Sequence, residues 1–256
     1  MADAKTFVAD IPAWIDLSST DKAAARGFYS KLFGSKIDVG GPETHEYGMA
    51  KIGGNFVAGI GGTQGDQPSA WMLYIGTRDA DAVAKKVEAA GGNVVMPAMD
   101  VLDSGRMAVF QDPSGAFFAV WQPKDMNGFE LKNAPGSYGW AELTSSAIDK
   151  AKAFYTKVFG WGQKDSPMGE GNPPYTEFLH EGQSIAGAWD MASMPQGMPS
   201  AWLIYFTVDD VDKANTKALD LGAQQMMEPQ DFPGGRFSIV IDPQGAGFGL
   251  LKMQPR

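Results

Sequence analysis

Two acidic residues occupy matching places beside a tryptophan in two similar stretches of the chain. Asp16 follows Trp14 in the segment WIDL, and Glu142 follows Trp140 in the segment WAEL. Strand alternation puts each acid on the same face as its tryptophan. A carboxyl group buried beside an indole ring could have a raised pKa suited to proton transfer. Asp16 and Glu142 are therefore the candidate catalytic residues.

The two acids belong to a longer internal repeat. Each is followed by a segment that contains Phe-Tyr and ends in Phe-Gly, at 28–34 and 154–160. Ala-Trp follows at 70–71 and 201–202, and Asp-Pro-x-Gly at 112–115 and 242–245. A tandem duplication is the simplest explanation. Residues kept in both copies then mark what the fold or the site requires, and residues that differ mark where two cavities diverge.

Composition limits the classes of function. The 256 residues are enough for two domains, and the net charge of -9 argues against a nucleic-acid partner. No apolar run approaches the roughly 20 residues that cross a bilayer, and the first residues lack the features of a signal peptide. We therefore expect a cytoplasmic protein with no membrane partner. The absence of cysteine excludes disulfides, thiolate metal sites and cysteine nucleophiles.

Local signals place these motifs on strands, helices and turns. A segment rich in Pro, Gly and Asn predicts a linker at 123–136, between domains at 1–122 and 137–256. Amphipathic spacing predicts helices over 21–33, 81–90, 149–159 and 212–221, the first capped by Thr20 and ended by Gly34. The Asp-Pro-x-Gly segments predict the turns of antiparallel hairpins. Each half therefore contains two units made of a strand, a helix and further short strands.

These motifs, in this order and twice over nearly the whole chain, resemble the vicinal oxygen chelate superfamily. That superfamily includes glyoxalase I, extradiol dioxygenases, and fosfomycin and bleomycin resistance proteins. The resemblance implies an α+β fold of tandem glyoxalase-like domains, with four βαβββ modules whose antiparallel-rich sheets curl into two cups. Similar tandem proteins often carry the labels hydroxylase or glyoxalase-like, but a shared fold does not fix a function.

The resemblance also implies where a metal ion would bind. Metal-dependent members hold one divalent ion per cup through four side chains, usually His, Gln or Glu. None of the eight matching positions carries such a side chain. In the first cup they fall on Trp14, Met72 and Ala119 and near Gly59. In the second cup they fall on Trp140, Leu203 and Gly249 and near Gly187. The two histidines, His45 and His180, are expected in exposed turns. We therefore expect no metal ion and no other cofactor.

Aromatic and apolar side chains are expected to line the cups instead. The predicted ligand-binding residues are Trp14, Tyr74, Phe117 and Trp121 in the first cup, and Trp140, Leu203, Tyr205, Gly247 and Gly249 in the second. Such walls suit a planar or apolar organic ligand. The second cup should be roomier, because Gly247 and Leu251 replace Phe117 and Trp121.

Two structural alternatives stay open for these residues. Trp14 and Trp140 could fill the space of a lost metal site and form an ordinary core. Each inward acid could pair with Arg106 or Arg236, accept a hydrogen bond from Tyr74 or Tyr205, or serve a ligand. The choice matters because a carboxylate buried without a partner is costly.

The leading functional hypothesis is metal-independent binding or sequestration of a small hydrophobic or aromatic molecule. One alternative is a lyase, isomerase or hydroxylase with Asp16 or Glu142 as base and Tyr74 or Tyr205 as acid. Another is a divergent glyoxalase- or dioxygenase-type metalloenzyme that uses Asp16 or Glu142 as an oxygen ligand. The expected partner is a small molecule, and the protein is expected to be a monomer or a homodimer, with the monomer favoured.

Overall fold

The structure, a computed structural model, describes residues 6–168, 173–191 and 199–254. Each half of the chain forms two βαβββ modules. The first domain consists of β1 (Pro12–Ser19), α1 (Lys22–Phe33), β2 (Lys36–Val39), a short 3-10 helix (Pro42–Thr44), β3 (Gly48–Ile52), β4 (Asn55–Gly62), β5 (Ala70–Gly76), α2 (Ala80–Ala89), β6 (Asn93–Val101), β7 (Gly105–Gln111) and β8 (Phe117–Pro123). The second consists of β9 (Tyr138–Ser145), α3 (Ile148–Phe159), β10 (Gly162–Ser166), β11 (Tyr175–His180), β12 (Gln183–Asp190), β13 (Ala201–Thr207), α4 (Val211–Asp220), β14 (Gln224–Phe232), β15 (Gly235–Ile241) and β16 (Gly247–Met253). In these ranges, no helix has the length and apolar character to cross a membrane.

Each domain has one eight-stranded sheet. The strand order is β2-β3-β4-β1-β5-β8-β7-β6 in the first and β10-β11-β12-β9-β13-β16-β15-β14 in the second. The modules join in the middle of each sheet, where β1 runs antiparallel to β5 and β9 runs antiparallel to β13. Neither sheet closes into a barrel, so each has one concave face. The predicted α+β fold of tandem glyoxalase-like domains is confirmed.

Strand alternation divides β1 between two environments. Ile15 and Leu17 are fully buried on the face covered by helices, and each contributes about 1.5–3 kcal/mol through burial of its side chain. Trp14 and Asp16 lie on the opposite, concave face and line its cavity. β9 repeats this division, with Trp140 and Glu142 on the concave side.

The start of the first helix differs from its prediction by one residue. The Asp21 side chain accepts hydrogen bonds from the backbone N–H groups of Ala23 and Ala24, at 3.1 and 2.9 Å. Thr20 is therefore not the cap, and its hydroxyl lies 3.2 Å from that of Ser69. Asp21 is the better placed residue because it directly precedes the helix. Gly34 ends the helix with a φ of 70°, as predicted.

The repeated motifs meet across the boundary between the two domains. Tyr29 on α1 donates a hydrogen bond to Asp242, and Tyr155 on α3 donates one to Asp112, at 2.8 and 3.1 Å. Each aspartate also holds its own Asp-Pro-x-Gly turn, as Asp112 does by accepting from the backbone N–H of Ala116 at 3.1 Å. One continuous apolar core contains side chains of both domains. The two cups are therefore fixed on a shared framework.

Candidate functional site

Asp16 lies half-buried in the first cup. Its Oδ2 accepts hydrogen bonds from the hydroxyls of Tyr47 and Tyr74, at 3.1 and 3.0 Å. Burial raises the pKa of Asp16 to about 6, although the two hydrogen bonds partly offset this effect. Burial and the neighbouring Asp16 raise the pKa of both tyrosines well above its usual value, so they remain protonated donors at neutral pH.

Glu142 has the same surroundings in the second cup. The Tyr205 hydroxyl donates to Glu142 Oε1 at 3.2 Å, and the Tyr175 hydroxyl also bonds to this carboxylate. Burial raises the pKa of Glu142, again against the effect of these hydrogen bonds. An indole completes each group: Trp140 Nε1 donates to Tyr175 at 3.0 Å and Trp14 Nε1 to Tyr47 at 3.4 Å. Each cup thus contains the same hydrogen-bonded group, which consists of one acid, two tyrosines and one tryptophan.

The sequence indicates one tyrosine of each pair, Tyr74 and Tyr205, but not the other, Tyr47 and Tyr175. Tyr74 and Tyr205 bind the acids as one of the open alternatives allowed. Tyr47 directly precedes β3 and Tyr175 begins β11. Each tyrosine therefore reaches its acid across one intervening strand, β4 or β12. The available signal was a glycine kept in both copies on the strand between each missed tyrosine and its acid.

Those glycines are Gly59 and Gly187, which pair in register with Asp16 and Glu142 respectively. A Cβ atom at Gly59 would overlap the Tyr47 hydroxyl, and one at Gly187 would overlap that of Tyr175. The glycines therefore leave the space that the tyrosine side chains occupy. The resemblance to the family places one metal ligand of each cup near these glycines.

The alternative in which arginines neutralise the acids is wrong. Arg106 forms ion pairs with Asp81 and Asp100, at 3.1 and 3.3 Å. Arg236 pairs with Asp212 and Asp231, at 2.8 and 3.0 Å. Each arginine therefore ties the helix of its module to the neighbouring edge strand. No arginine of the described residues lies among those that line the cavity.

The predicted wall residues line the cups with one exception. Both concave faces contribute to a connected cavity of about 3330 Å³, which is larger than one small-molecule pocket and contains more than one possible binding place. Among the predicted residues, those that line it are Trp14, Tyr74, Phe117, Trp121, Trp140, Leu203, Tyr205 and Gly247. Gly249 does not, because the Tyr205 ring lies directly against it. A role of these residues in binding a ligand stays a prediction.

The two cups differ as their side chains predict. Phe117 stands 47% exposed in the first cup, and Trp121 spans its end with Nε1 bonded to the carbonyl of Met126 at 2.8 Å. In the second cup a Cβ atom at Gly247 would meet only Leu203, at 3.9 Å. This end of the second cup is consequently more open.

The donor set of either cup does not fit a divalent cation. Six of the eight positions, at or near which the resemblance places ligands, carry glycine, alanine, methionine or leucine, and the other two, Trp14 and Trp140, offer only an indole N–H. Among the described residues no three His, Asp or Glu side chains come together as a possible metal site. His45 is exposed, as expected. His180 is instead the half-buried last residue of β11, and the hairpin turn that follows uses Glu181 and Gly182.

Comparison with known proteins agrees with this architecture. The model of the Glyoxalase/Bleomycin resistance protein/Dioxygenase superfamily matches residues 11–120 and again residues 128–250. The chain belongs to this superfamily. Among curated members of the superfamily, the anthracycline biosynthesis protein DauV of Streptomyces sp. (strain C5) is 38% identical, over 97% of this chain and 95% of that protein. The putative glyoxylase CFP32 of Mycobacterium tuberculosis is 39% identical, over 96% of this chain and 95% of that protein.

Solved structures of the glyoxalase superfamily share the fold. The Mn(II)-bound glyoxalase from Novosphingobium aromaticivorans superposes with a TM-score of 0.67 and 18% identity, covering 96% of this chain and 83% of that one. The 2,3-dioxygenase LapB from Pseudomonas sp. KL28 gives a TM-score of 0.65 and 15% identity, covering 98% and 95%. At these identities the likeness concerns the fold alone.

Proposed function

We propose that the protein binds a planar aromatic compound in its cups without a metal ion, and thereby carries or sequesters that compound. The observation that carries this proposal is the repeated arrangement of an indole and two phenols around one half-buried acid. Aromatic walls stack on flat rings, and the few fixed polar groups orient them. The tyrosine hydroxyls are held by the acids, so the polar groups are in place before a ligand enters.

The names of the relatives suggest which planar compounds to consider. DauV is named for anthracycline biosynthesis, and anthracyclines are built on a flat, polycyclic, hydroxylated ring system. The similarity to DauV extends over nearly the whole of both chains. We therefore place the ligand in the class of polycyclic aromatic compounds that carry hydroxyl or carbonyl groups.

The metal-independent part of the proposal rests on the chemistry of the assigned positions. Tyr47 and Tyr175 occupy the space beside Gly59 and Gly187, where the fold family would place one ligand. The acids next to these glycines bond to tyrosine hydroxyls. In either cup, the carboxylate already accepts hydrogen bonds from tyrosines. None of the positions that match the family's metal ligands carries a charged side chain.

Titration of chelator-treated protein with 1,4-dihydroxyanthraquinone tests this function. We expect saturable binding, measured by the absorbance and fluorescence of the probe, together with an increase in the thermal midpoint. A saturated tricyclic compound of similar size is the control, because it buries apolar area but cannot stack. Equal binding of both compounds, or binding of the quinone only after a metal ion is added, would contradict the proposal.

One observation favours a second candidate function, acid–base catalysis on the same kind of compound. Asp16 has a pKa of about 6 and lies between two phenol donors. Such a group can take a proton from a carbon acid and return it elsewhere, as an isomerase requires, while a tyrosine hydroxyl bonds to the oxygen that gains charge. The same groups could serve a lyase, in which the proton taken by the acid is balanced by departure of a leaving group.

Kinetics of two isosteric variants separate catalysis from binding. If the protein is an isomerase of this type, Asp16→Asn or Glu142→Gln should lower turnover by about 10²- to 10⁴-fold while ligand binding persists. The combined variant identifies a contribution from both cups. Turnover that survives in the combined variant would exclude these acids as the base.

A further inference from the structure

An aromatic ring from the segment between the two domains packs against the indole of the first cup. Phe129 lies against Trp14 with ring centroids 5.6 Å apart. Both side chains are buried, Phe129 being 3% and Trp14 4% exposed. The indole that begins the acid-centred group of this cup is therefore covered by the protein itself.

This segment is fixed at several points. The backbone N–H of Phe129 donates to the carbonyl of Ala13 at 2.8 Å. Gly128, with a φ of 109°, passes so close to Ala13 that a Cβ atom would overlap the same carbonyl. The Met126 carbonyl accepts from Trp121 Nε1 at 2.8 Å. Phe129 thus belongs to the packed structure beside Trp14.

Among the residues that the structure describes, no aromatic ring packs on the matching indole of the second cup as Phe129 does on Trp14. This indole, Trp140, is only partly buried. Its apolar neighbours form a separate small cluster, in which Leu203, Phe232 and Phe237 are also only partly buried. An apolar surface of this kind inside a cavity is typical of a ligand site.

We infer that Trp140 is the platform for an aromatic ring of the ligand, and that Phe129 fills the equivalent place in the first cup. The inference rests on the proposed function and adds to it a location and a stoichiometry of one. The hydrogen bond from Trp140 Nε1 to Tyr175 fixes the edge of the indole that faces the acid. The ligand ring would stack on the indole, with its far end extending past Gly247.

Three variants and one probe test this assignment. Titration of the wild-type protein with 1,4-dihydroxyanthraquinone should give one molecule bound per chain. Trp140→Leu should weaken that binding by roughly tenfold or more, because it removes the stacking surface. Gly247→Phe, which introduces the residue of the first cup at the matching position, should block the site. Phe129→Ala should uncover Trp14 and raise the stoichiometry to two.

The outcomes separate this inference from the proposed function. Absence of quinone binding in the wild-type protein overturns the proposed function and this inference with it. Binding of two molecules by the wild-type protein, or unchanged affinity in Trp140→Leu, overturns only the inference. If Phe129→Ala fails to fold, Trp140→Leu and Gly247→Phe decide the matter, since each must weaken binding while the thermal midpoint of the free protein shows that it is folded.

Discussion

Tyr29 and Asp242 lie 213 positions apart in the chain and are joined by a hydrogen bond of 2.8 Å across the domain boundary. The Tyr29 hydroxyl also accepts a hydrogen bond from Trp71 Nε1 at 2.9 Å. Because all these groups are buried, removal of the Tyr29 hydroxyl leaves Trp71 Nε1 and Asp242 Oδ2 without this partner, while Asp242 Oδ1 still accepts from the backbone of its turn. The motifs that revealed the duplication thus hold its two halves together.

We predict that Tyr29→Phe lowers the free energy of unfolding by about 1–3 kcal/mol, because the carboxylate of Asp242 and the indole of Trp71 lose their partner. Urea denaturation measures the loss. Asp242→Asn keeps the oxygen that holds the turn, and a double-mutant cycle with Tyr29→Phe isolates the contact between domains. Strictly additive effects of the two substitutions would show that the contact contributes nothing.

The raised pKa of Asp16 predicts that stability falls as the pH rises. The pKa is about 6 in the folded protein and about 3.9 in an unfolded chain, so the folded state binds more protons between these values. The associated stability is fully present below about pH 4 and is lost as the pH rises through about 6, amounting to about 3 kcal/mol. Urea denaturation at a series of pH values measures this decline.

Asp16→Asn should remove most of that pH dependence, because an amide does not ionise. Asp38→Asn is the matched control, since hydrogen bonds from Lys51 and Lys36 lower the pKa of this exposed acid. Its contribution has the opposite sign: it is present above the unfolded pKa and disappears as the pH falls. A pH profile of Asp16→Asn that coincides with that of the wild-type protein would refute the assignment.

A methyl group at Gly59 should destabilise the protein. The Cβ atom of Gly59→Ala would displace the Tyr47 ring and so remove one hydrogen bond from Asp16. We expect a loss of about 1–3 kcal/mol in the free energy of unfolding, measured by urea denaturation. Gly247→Ala is the control on a strand of the same fold, because its methyl group meets only Leu203, at an ordinary contact distance of 3.9 Å.

A second substitution shows whether the collision causes that loss. Tyr47→Ala removes the ring that Gly59→Ala would strike. The combined variant should therefore be less destabilised than the sum of the two single variants. If Gly59→Ala and Gly247→Ala cost the same, the close packing of Tyr47 has no energetic importance.

We predict that divalent transition metals do not stabilise the protein. A specific site at about 100 times its dissociation constant would add about 2.7 kcal/mol and shift the thermal midpoint by several degrees. Thermal unfolding of chelator-treated protein with Mn²⁺, Ni²⁺ or Zn²⁺ measures this. A large shift that disappears in the combined Asp16→Ala and Glu142→Ala variant would show that the acids bind a metal ion after all.

Local patterns were enough to predict the helices, the hairpins and the four repeated units, and the family resemblance implied how the sheets curl into cups. The repeated Phe-Tyr and Asp-Pro-x-Gly motifs indicated four modules, and strand alternation placed Trp14 with Asp16 on the concave face. These features depend on residues close together in the chain, where backbone geometry restricts the possibilities. The cap at Asp21 differed because two adjacent polar residues could each precede the helix.

The side-chain partners could not be predicted in the same way. Tyr47 reaches Asp16 over Gly59, and this contact depends on the register of β1, β3 and β4. Likewise, Arg106 pairs with Asp81 because α2 packs beside the edge of the sheet. Several elements must be assembled before such contacts exist, so periodicity within one element does not reveal them. A glycine present at this place in both copies is a signal of a close approach, but it does not identify the side chain that makes it.

The collision that any side chain at position 59 would have with Tyr47 also bears on how the two cups can evolve. Replacement of Gly59 by a metal-binding residue requires that Tyr47 be replaced by a smaller residue. That second replacement removes one of the two hydrogen-bond donors to Asp16. Each single step therefore lowers stability, and the same obstacle exists at Gly187 and Tyr175. The packing of a tyrosine against a glycine thus opposes the stepwise introduction of a metal ligand in each cup.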